Sequence, residues 1–310
     1  MNKPVYVFSG FLDAGKTTVI KETLSDPNFT QGERTLIIAF EEGDVEYDKA
    51  FLKANKCEVV YLDRIEELTK DKMADYELAH EFDRVFIELN GMQKDEDLFR
   101  QGFLPSWEFV EELAIVDATQ FMNQVNNMKT FFFDHVRYAD VCIFNRADNV
   151  DKQFIRNNLK AVNPRIQIIL EDSQGNTSTP ADEIEFDVDA NPLVISDVDY
   201  GLWYLDALDN PTKYEGKRIC LHIAYTEDIP MTDEAVVMGR QAMVCCANDV
   251  QNFGITVVGI YKNELKKNNF YNVTGTIRCI DDTEGYKTCL LYAEKIDEAD
   301  KPSSDYVTFN

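Results

Sequence analysis

Short apolar runs alternate with longer amphipathic stretches over residues 1–200 of the chain. The runs have the length of buried strands, and the stretches between them have helical spacing. Strands are predicted at PVYVFSG, RTLIIAFEE, CEVVYLD, DRVFIELNG, SWEFVEELAIVDA, YADVCIFNRAD and NPRIQIILED. Helices are predicted at KTTVIKETLSD and IEELTKDKMADYELAHEF. Strands that alternate with helices indicate an α/β domain with a mainly parallel sheet flanked by helices.

The pattern changes after this region. Residues 172–192 are polar and acidic and show no clear period, which predicts a long surface connection. The run DYGLWYLDAL then predicts a closing helix, and DNPTKYEGK is rich in turn-forming residues. We therefore expect a first domain over 1–200 and a connecting segment over 201–213.

The last third of the chain reads as strands without long helices between them. These strands are predicted at RICLHIAY, GRQAMVCCA, GITVVGIY, YNVTGTIRCI and KTCLLYAEKI. Such a pattern predicts a small, mostly β domain over 214–297, with a five-stranded barrel of the OB type as the expected form. Residues 298–310 are expected to be a mobile tail.

Charge and composition narrow the class of protein. A formal net charge of −25 repels nucleic acid and anionic lipid, so neither is expected as a partner. We find no apolar run long enough for a membrane span and no leader pattern at the start, so neither membrane insertion nor export is expected. Seven cysteines without a secretion signal favour reduced thiols and a cytoplasmic protein.

Residues Gly10 to Thr17 match the full phosphate-loop pattern G-x-x-x-x-G-K-[ST] between a strand and a helix. Backbone N–H groups of such a loop bind phosphate, the lysine reaches the terminal phosphates and the hydroxyl ligates magnesium. Lys16 and Thr17 are therefore the candidates for those two roles. The residues expected to bind the nucleotide phosphates are Gly10, Asp13, Ala14, Gly15, Lys16, Thr17 and Thr18.

Asp13 places a carboxylate inside a loop built for anions. The side chain must point outward, pair with a cation or weaken nucleotide binding. The sequence leaves these three alternatives open.

The stretch CIFNRAD predicts the base that is bound. A carboxylate accepts from both N1–H and the exocyclic amine of guanine, a pair of donors that adenine lacks on that edge. Asn145 and Asp148 give the N-x-x-D pattern by which P-loop GTPases select guanine. Arg146 stands where lysine is commoner, and its planar guanidinium can stack on a base.

Five stretches occur in the order seen in the CobW-like GTPases: VFSGFLDAGKTT, FIELNGM, AIVDATQF, YADVCIFNRAD and NPRIQII. The chain resembles that family, which includes relatives of the hydrogenase and urease nickel-insertion proteins and is linked to metal delivery. The resemblance implies that Glu88 lies beside magnesium and that Gly91 senses the γ-phosphate. It assigns Glu41 to Asp48 to the first switch segment. Glu41, Glu42 or Asp44 would hold or orient magnesium there, and a solvated acidic loop is the alternative.

The CxCC metal motif of that family has no counterpart here, because VVYLDRIEELTKDKM lacks cysteine. The stretch GRQAMVCCANDVQNFG resembles the small C-terminal domain of YcgQ-type proteins, which are associated with predicted permeases and with zinc. Cys220 and His222 are two residues apart and share one strand face, whereas Cys245 and Cys246 are adjacent. These four form a candidate zinc site, and packing of the cysteines in the barrel core is the alternative.

The sequence thus predicts a GTP-binding, slowly GTP-hydrolysing switch protein in metal homeostasis, with zinc as the expected metal and a permease or metalloprotein client as partner. Turnover is expected to be accelerated by homodimerisation or by a partner. One alternative is a non-catalytic adaptor that binds nucleotide for structure only. Another is a metabolite kinase, against which the N-x-x-D pattern argues.

Overall fold

A computed structural model describes residues 2–180, 186–230, 232–243, 250–281 and 285–307 of the chain. Proximity of Cα atoms divides the chain into two compact units. The first comprises Met1–Lys152 and Arg165–Pro180, and the second comprises Gln153–Pro164 and Ala181–Asn310. The domain boundaries expected from the sequence remain predictions.

The first unit is built on an eight-stranded sheet whose order is β3-β2-β4-β1-β5-β6-β7-β8. Every neighbouring pair is parallel except β7 and β8, which are antiparallel. The strands are β1 (Lys3–Ser9), β2 (Thr35–Ala39), β3 (Cys57–Tyr61), β4 (Arg84–Glu88), β5 (Trp107–Asp117), β6 (Val141–Asn145), β7 (Gln167–Glu171) and β8 (Thr177–Ser178). The α/β fold with a mainly parallel sheet is confirmed.

The helices of the chain, in order, are α1 (Lys16–Ser25), α2 (Pro27–Thr30), α3 (Lys49–Ala54), α4 (Lys70–Ala79), α5 (Asp95–Gln101), α6 (Phe121–Asn127), α7 (Lys129–Tyr138), α8 (Lys152–Val162) and α9 (Tyr200–Asp209). The single helix predicted at IEELTKDKMADYELAHEF is instead a 3-10 turn at Ile65–Glu67 followed by α4. Thr69 separates them because its side chain accepts from the backbone N–H of Lys72 and caps α4.

The sheet of the first unit is covered on both faces. All five residues of β2 and all five of β4 are buried, as expected for central strands of a parallel sheet. Ile38 and Ile87 pack in one apolar cluster with Leu68, whereas Ile37 and Phe86 pack in another with Ile20 of α1. Burial on both faces fixes the strands, and the loops at their carboxyl ends remain free to carry polar groups.

The second unit contains β9 (Leu193–Val194), β10 (Arg218–Asp228), β11 (Ala235–Met243), β12 (Val250–Val258), β13 (Phe270–Asp281) and β14 (Lys287–Ala299). The last five strands pair in the closed cycle β10-β11-β12-β14-β13-β10, with β12 and β14 parallel. This is the pairing of a five-stranded barrel of the OB type, which confirms the predicted mostly β domain.

Helix α9 packs on this barrel. Tyr200 and Trp203 belong to the same buried cluster as Leu221 and Val273, and the Tyr200 hydroxyl donates to the carbonyl oxygen of Phe253 at 2.7 Å. Val307, expected in a mobile tail, is buried and bridges to Ala242 of β11. Throughout the part of the chain that the structure describes, every helix is too short or too polar to cross a bilayer.

Candidate functional site

The phosphate loop follows β1 and leads into α1. Its backbone has left-handed φ angles of 126° at Gly10 and 102° at Gly15, which glycine adopts without the clash that a Cβ causes. A Cβ at Gly10 would lie 2.1 Å from the carbonyl oxygen of Ile115. Gly15 is the N-cap of α1. The loop therefore ends at a helix N-terminus, where N–H groups and the helix dipole favour an anion.

Lys16 is buried at the first position of α1. Its Nζ donates to the carbonyl oxygens of Gly10 at 2.7 Å and Phe11 at 2.9 Å, and it forms an ion pair with Glu41. The ammonium group is thus held by oxygen atoms of the protein itself. A phosphate that bound to Lys16 would have to replace at least one of these three oxygen atoms.

The hydroxyl of Thr17 lies beside Glu88 at the carboxyl end of β4. Thr17 Oγ1 donates to Glu88 Oε1 at 2.6 Å, and the Tyr47 hydroxyl donates to Glu88 Oε2 at 2.6 Å. Burial raises the pKa of Glu88, although the hydrogen bonds from Thr17 and Tyr47 act in the opposite direction. Hydroxyl and carboxylate oxygens suit Mg²⁺, which supplies positive charge to the phosphates when it is bound. The donor set therefore fits this ion.

Gly91 follows Glu88 by three residues and lies directly against the phosphate loop. A Cβ at Gly91 would lie 2.4 Å from Phe11 Cα and 2.7 Å from the carbonyl oxygen of Gly10. Only glycine fits here without moving the loop. The backbone of this segment is therefore packed directly on the phosphate loop.

Two adjoining cavities open on these residues. One of about 390 Å³ is lined by Lys16, Thr17, Glu88 and Arg146 among others. The second, of about 240 Å³, shares Thr17 and Glu88 and also contains Glu42 in its wall. Glu42 is thus close to the position expected for magnesium, whereas Glu41 is committed to Lys16.

Asp13 and Thr18 are exposed and line the larger cavity. Asp13 has a φ of 60°, a conformation that Asp tolerates better than most residues. Its carboxylate is therefore solvated and remains on the wall that phosphates would approach. Repulsion of the nucleotide and an outward orientation both stay compatible with this position.

Asn145 ends β6 and connects the guanine-selecting stretch to the phosphate loop. Its Nδ2 donates to the carbonyl oxygen of Ala14 at 2.6 Å. Its Oδ1 is buried and has no hydrogen-bond partner among the residues that the structure describes. A buried amide oxygen is costly to leave unpaired, so this atom favours a site completed by a ligand donor.

Arg146 and Asp148 follow Asn145 on the same loop. Arg146 has a φ of 55°, and its half-exposed guanidinium pairs with Asp117 at the end of β5. Burial acts to raise the pKa of Asp117, but hydrogen bonds from Thr119 and the charge of Arg146 lower it overall. Asp148 accepts from the backbone N–H of Ser173 at 3.2 Å and from the Ser173 hydroxyl. The carboxylate expected to read guanine is therefore held by the loop after β7.

The candidate zinc ligands are only partly described. Cys245 and Cys246 lie outside the described residues. Cys220 and His222 lie on β10, where His222 Nδ1 is 2.9 Å from Asp197 Oδ1 and Nε2 is 2.9 Å from the carbonyl oxygen of Asp300. Across the described ranges, no three His, Cys, Asp or Glu side chains converge in a way that would hold a metal.

Three residues of the site were not singled out from the sequence: Tyr47, Asp117 and Ser173. Asp117 ends an apolar run, as Glu88 does, and this signal was present in the stretch AIVDATQF. Tyr47 and Ser173 come from loops, and only the fold shows that they meet Glu88 and Asp148.

Comparison with family models gives two matches. Residues 4–170, more than half of the chain, match the model described as CobW/HypB/UreG, nucleotide-binding domain. Residues 171–308 match the DUF1980 C-terminal domain. None of the curated proteins compared with the chain matches it.

Solved structures that match the chain include a zinc-bound triple mutant of the GTPase YjiA, at 17% identity and a TM-score of 0.46, covering 94% of this chain and 89% of that one. The hydrogenase maturation factor HypB from Archaeoglobus fulgidus has 16% identity and a TM-score of 0.40, with coverage of 56% and 82%. HypB from Helicobacter pylori in complex with nickel has 15% identity and a TM-score of 0.38, with coverage of 55% and 79%. By its family match, the chain belongs to the CobW/HypB/UreG family and carries that family's nucleotide-binding domain in residues 4–170.

Proposed function

We propose that this protein binds GTP and hydrolyses it slowly, as a switch in metal handling. The observation that carries the proposal is that three chemically distinct groups share one edge of the parallel sheet. The phosphate loop follows β1, the Thr17–Glu88 pair lies at the end of β4, and Asn145 ends β6 and donates to Ala14 of the loop. Ligands of open α/β sheets bind at this edge.

In the proposed site each residue has one role. Lys16 leaves Glu41 and neutralises the terminal phosphates, and Thr17 and Glu88 turn their oxygens to magnesium. Asp148 accepts from the two donors of guanine, while Asn145 joins the base end to the phosphate loop. Glu42 is the further magnesium candidate, from the wall of the smaller cavity.

Hydrolysis is proposed to be slow because the site lacks a free arginine among its described wall residues. Arg146 is the arginine that lines the larger cavity, and it is paired with Asp117 at the base end. An arginine near the transferring phosphoryl group typically accelerates GTP hydrolysis by several orders of magnitude. A second copy of the chain or a partner protein is the proposed source of acceleration.

The base assignment is tested by isothermal titration with GTP, ATP and XTP in the presence of magnesium. We expect GTP to bind and ATP not to bind. In Asp148→Asn the side chain presents an amide N–H to the 2-amino position, so the affinity for GTP should fall. XTP carries an oxygen at that position, so the affinity for XTP should rise. Equal binding of GTP and ATP by the unmodified chain would refute guanine selection.

The output of the switch is proposed to be metal delivery, with zinc as the metal and a permease or metalloprotein as the client. Family membership supports metal handling in general terms. Cys220 and His222 on one strand offer soft ligands, but His222 would have to release Asp197 or the Asp300 carbonyl to bind zinc.

A second function is favoured by one observation, the burial of Lys16 against three protein oxygens. In that case the chain is an adaptor that binds nucleotide without hydrolysing it. GTP binding without hydrolysis above the buffer rate would support the adaptor.

A further inference from the structure

Four ionisable side chains are buried together next to the phosphate loop, outside the walls of the two cavities. They are Asp95 in the first turn of α5, Glu112 on β5, and Asp134 and His135 on α7. Their exposed fractions are 0%, 0%, 9% and 3%. Burying such groups is costly unless they pair with each other or form hydrogen bonds. Their partners therefore identify the segments that this cluster connects.

His135 connects two points of the segment that follows Glu88. Its Nδ1 lies 2.8 Å and 2.9 Å from the two carboxylate oxygens of Asp95, and its Nε2 lies 3.3 Å from the carbonyl oxygen of Gly91. Both partners are acceptors, so both contacts are hydrogen bonds when each ring nitrogen carries a proton, as in the imidazolium form. Burial lowers the pKa of His135, but the charge and hydrogen bond of Asp95 outweigh it and raise the pKa overall.

The far end of the segment is held by the neighbouring residue of α7. Asp134 Oδ2 accepts from the backbone N–H of Asp95 at 2.7 Å and of Glu96 at 3.4 Å. These are N–H groups of the first turn of α5, which have no partner within the helix. Helix α7 therefore grips α5 through Asp134 and grips Gly91 and Asp95 through His135.

Glu112 completes the cluster and joins it to the phosphate loop. Ser9, the residue before Gly10, donates to Glu112 Oε1 at 2.8 Å. Glu112 Oε2 has no hydrogen-bond donor near it in the described parts of the chain. Burial and then the charge of Asp95 raise the pKa of Glu112 well above its usual value. In its protonated form Glu112 can donate toward the Asp95 carboxylate.

The contact between His135 and Gly91 is the weakest member of this set. At 3.3 Å it is longer than most N–H···O hydrogen bonds, whereas the Asp95 contacts are short. Gly91 also packs against Phe11 of the phosphate loop, and the Phe11 ring lies edge-on to the His135 ring at 5.7 Å. A displacement of Gly91 would therefore break its contact with His135 Nε2 more readily than the contact between His135 Nδ1 and Asp95.

We propose that His135 is a positioning residue that holds the Gly91 segment to α7 when GDP is bound and loses the Gly91 carbonyl when GTP is bound. The inference rests on the proposed function and names the element that responds to it. Asp95 keeps the ring fixed in both states, so the loss is confined to Nε2. Helix α7, through His135 and Asp134, is then the element that senses the nucleotide.

The direct test uses the three histidines of the full chain, His80, His135 and His222. The protein is labelled with ¹⁵N-histidine, and the signals are assigned with His80→Gln and His222→Gln. With Mg²⁺, exchange of GDP for the non-hydrolysable analogue GMPPNP should shift the Nε2 signal of His135 and leave its Nδ1 signal and the other histidines nearly unchanged. An unchanged His135 signal with both nucleotides bound would overturn the proposal.

A binding measurement on a variant gives a second test. His135→Gln removes the charge and cannot serve both acceptors, so it should shift the ratio of GDP to GMPPNP affinity toward GMPPNP by roughly 5-fold or more. The matched control is His80→Gln, which breaks a histidine–carboxylate contact with Glu58 elsewhere in the first unit. The control should retain the original ratio.

A double variant guards against loss of folding. In Asp95→Asn combined with His135→Gln, two neutral amides replace the ion pair, so neither the Asp95 carboxylate nor the imidazolium is left without the other. This variant should also shift the affinity ratio, and an unchanged ratio in a folded variant would count against the positioning role. Failure of the unmodified chain to bind either nucleotide would instead refute the proposed function, and the role of His135 with it.

Discussion

At the scale of single residues, Lys16 is a group for which the protein itself competes with a nucleotide. The lysine that should bind phosphate is buried and engaged with Glu41 and two carbonyl oxygens. The ion pair is largely shielded from solvent, where charge pairs are stronger than at the surface. Glu41 therefore competes with a nucleotide for Lys16.

Glu41→Gln should increase nucleotide affinity when magnesium is absent. The amide keeps the size of the side chain and removes the charge that holds Lys16. We expect GDP to bind several-fold more tightly in EDTA, as measured by calorimetry. Glu46→Gln, a change to a neighbouring exposed residue of the same loop, is the control. Weaker binding by Glu41→Gln would show that Glu41 assists the nucleotide rather than competing with it.

Asp13 is the second residue with a charge of the wrong sign for a phosphate site. It is exposed on the cavity wall, so water weakens its repulsion of a bound phosphate without abolishing it. Asp13→Asn keeps a residue that tolerates the φ of 60°. GTP affinity should rise by about 1 kcal/mol, and the gain should shrink at high salt. Asp71→Asn on α4 should leave affinity unchanged. A loss of affinity in Asp13→Asn would mean that the carboxylate supports binding.

For the proposed site, the sequence indicates single candidate residues but not the side chains that they contact. Two short patterns contain these candidates, and each pattern lies within a single loop: one includes Lys16 and Thr17, and the other includes Asn145 and Asp148. The bond from Tyr47 to Glu88 joins residues 41 positions apart, so no local pattern could reveal it. Partners of this kind depend on the packing of loops rather than on their own sequence.

At the scale of elements, buried strands were the easiest to predict. Strands β2 and β4 are apolar throughout most of their length, and a run of that kind between turns has few alternatives. The helix predicted over IEELTKDKMADYELAHEF was too long because Thr69 caps α4 inside it. A threonine within a charged stretch is a weak signal until the helix ends around it are known.

Strand β5 carries the buried acid Glu112, and its raised pKa has a consequence for stability. A carboxyl group with a raised pKa stabilises the fold fully below its unfolded pKa, and that stabilisation is lost as pH rises through the folded pKa. The groups that face it are Asp95, Asp134 and Ser9. Ionisation of Glu112 beside Asp95 therefore opposes folding as pH rises.

Glu112→Gln removes this titration and keeps a donor for Asp95 and an acceptor for Ser9. At pH 8 the variant should be at least as stable as the unmodified protein. Its free energy of unfolding is expected to be higher by up to about 1 kcal/mol. The decline of this free energy as pH rises above the ordinary range of a carboxyl group should become shallower, as measured by urea unfolding. Glu108→Gln, at an exposed position of the same strand, should leave the pH dependence unchanged. A loss of several kcal/mol in Glu112→Gln at every pH would contradict this account.

At the scale of the whole molecule, the chain joins a nucleotide-binding domain to a closed five-stranded barrel. The change of hydrophobic pattern along the chain predicted both parts. Five strands without long helices between them predicted a barrel, but the pairing that closes it, β10 with β13, joins strands far apart in the chain, and its register comes from the structure. In the proposed metal role, the nucleotide bound to the first domain would change the affinity of the protein for zinc.

Zinc titration of reduced, metal-free protein tests that exchange. We expect zinc to bind with different affinities in the presence of magnesium with GMPPNP and of GDP, since coupled sites change each other's affinity by the same factor. Cys220→Ser and His222→Gln should each lower the affinity for zinc. Binding that is unaffected by both substitutions, or absent in both nucleotide states, would remove zinc from the account.

The central claim is that the chain hydrolyses GTP at the phosphate loop. The most direct measurement is single-turnover hydrolysis of GTP with magnesium and excess protein, run in parallel with Lys16→Ala. We expect a slow rate that exceeds both the buffer rate and the rate of the variant. A rate for the unmodified protein that equals the rates of Lys16→Ala and of buffer would contradict it.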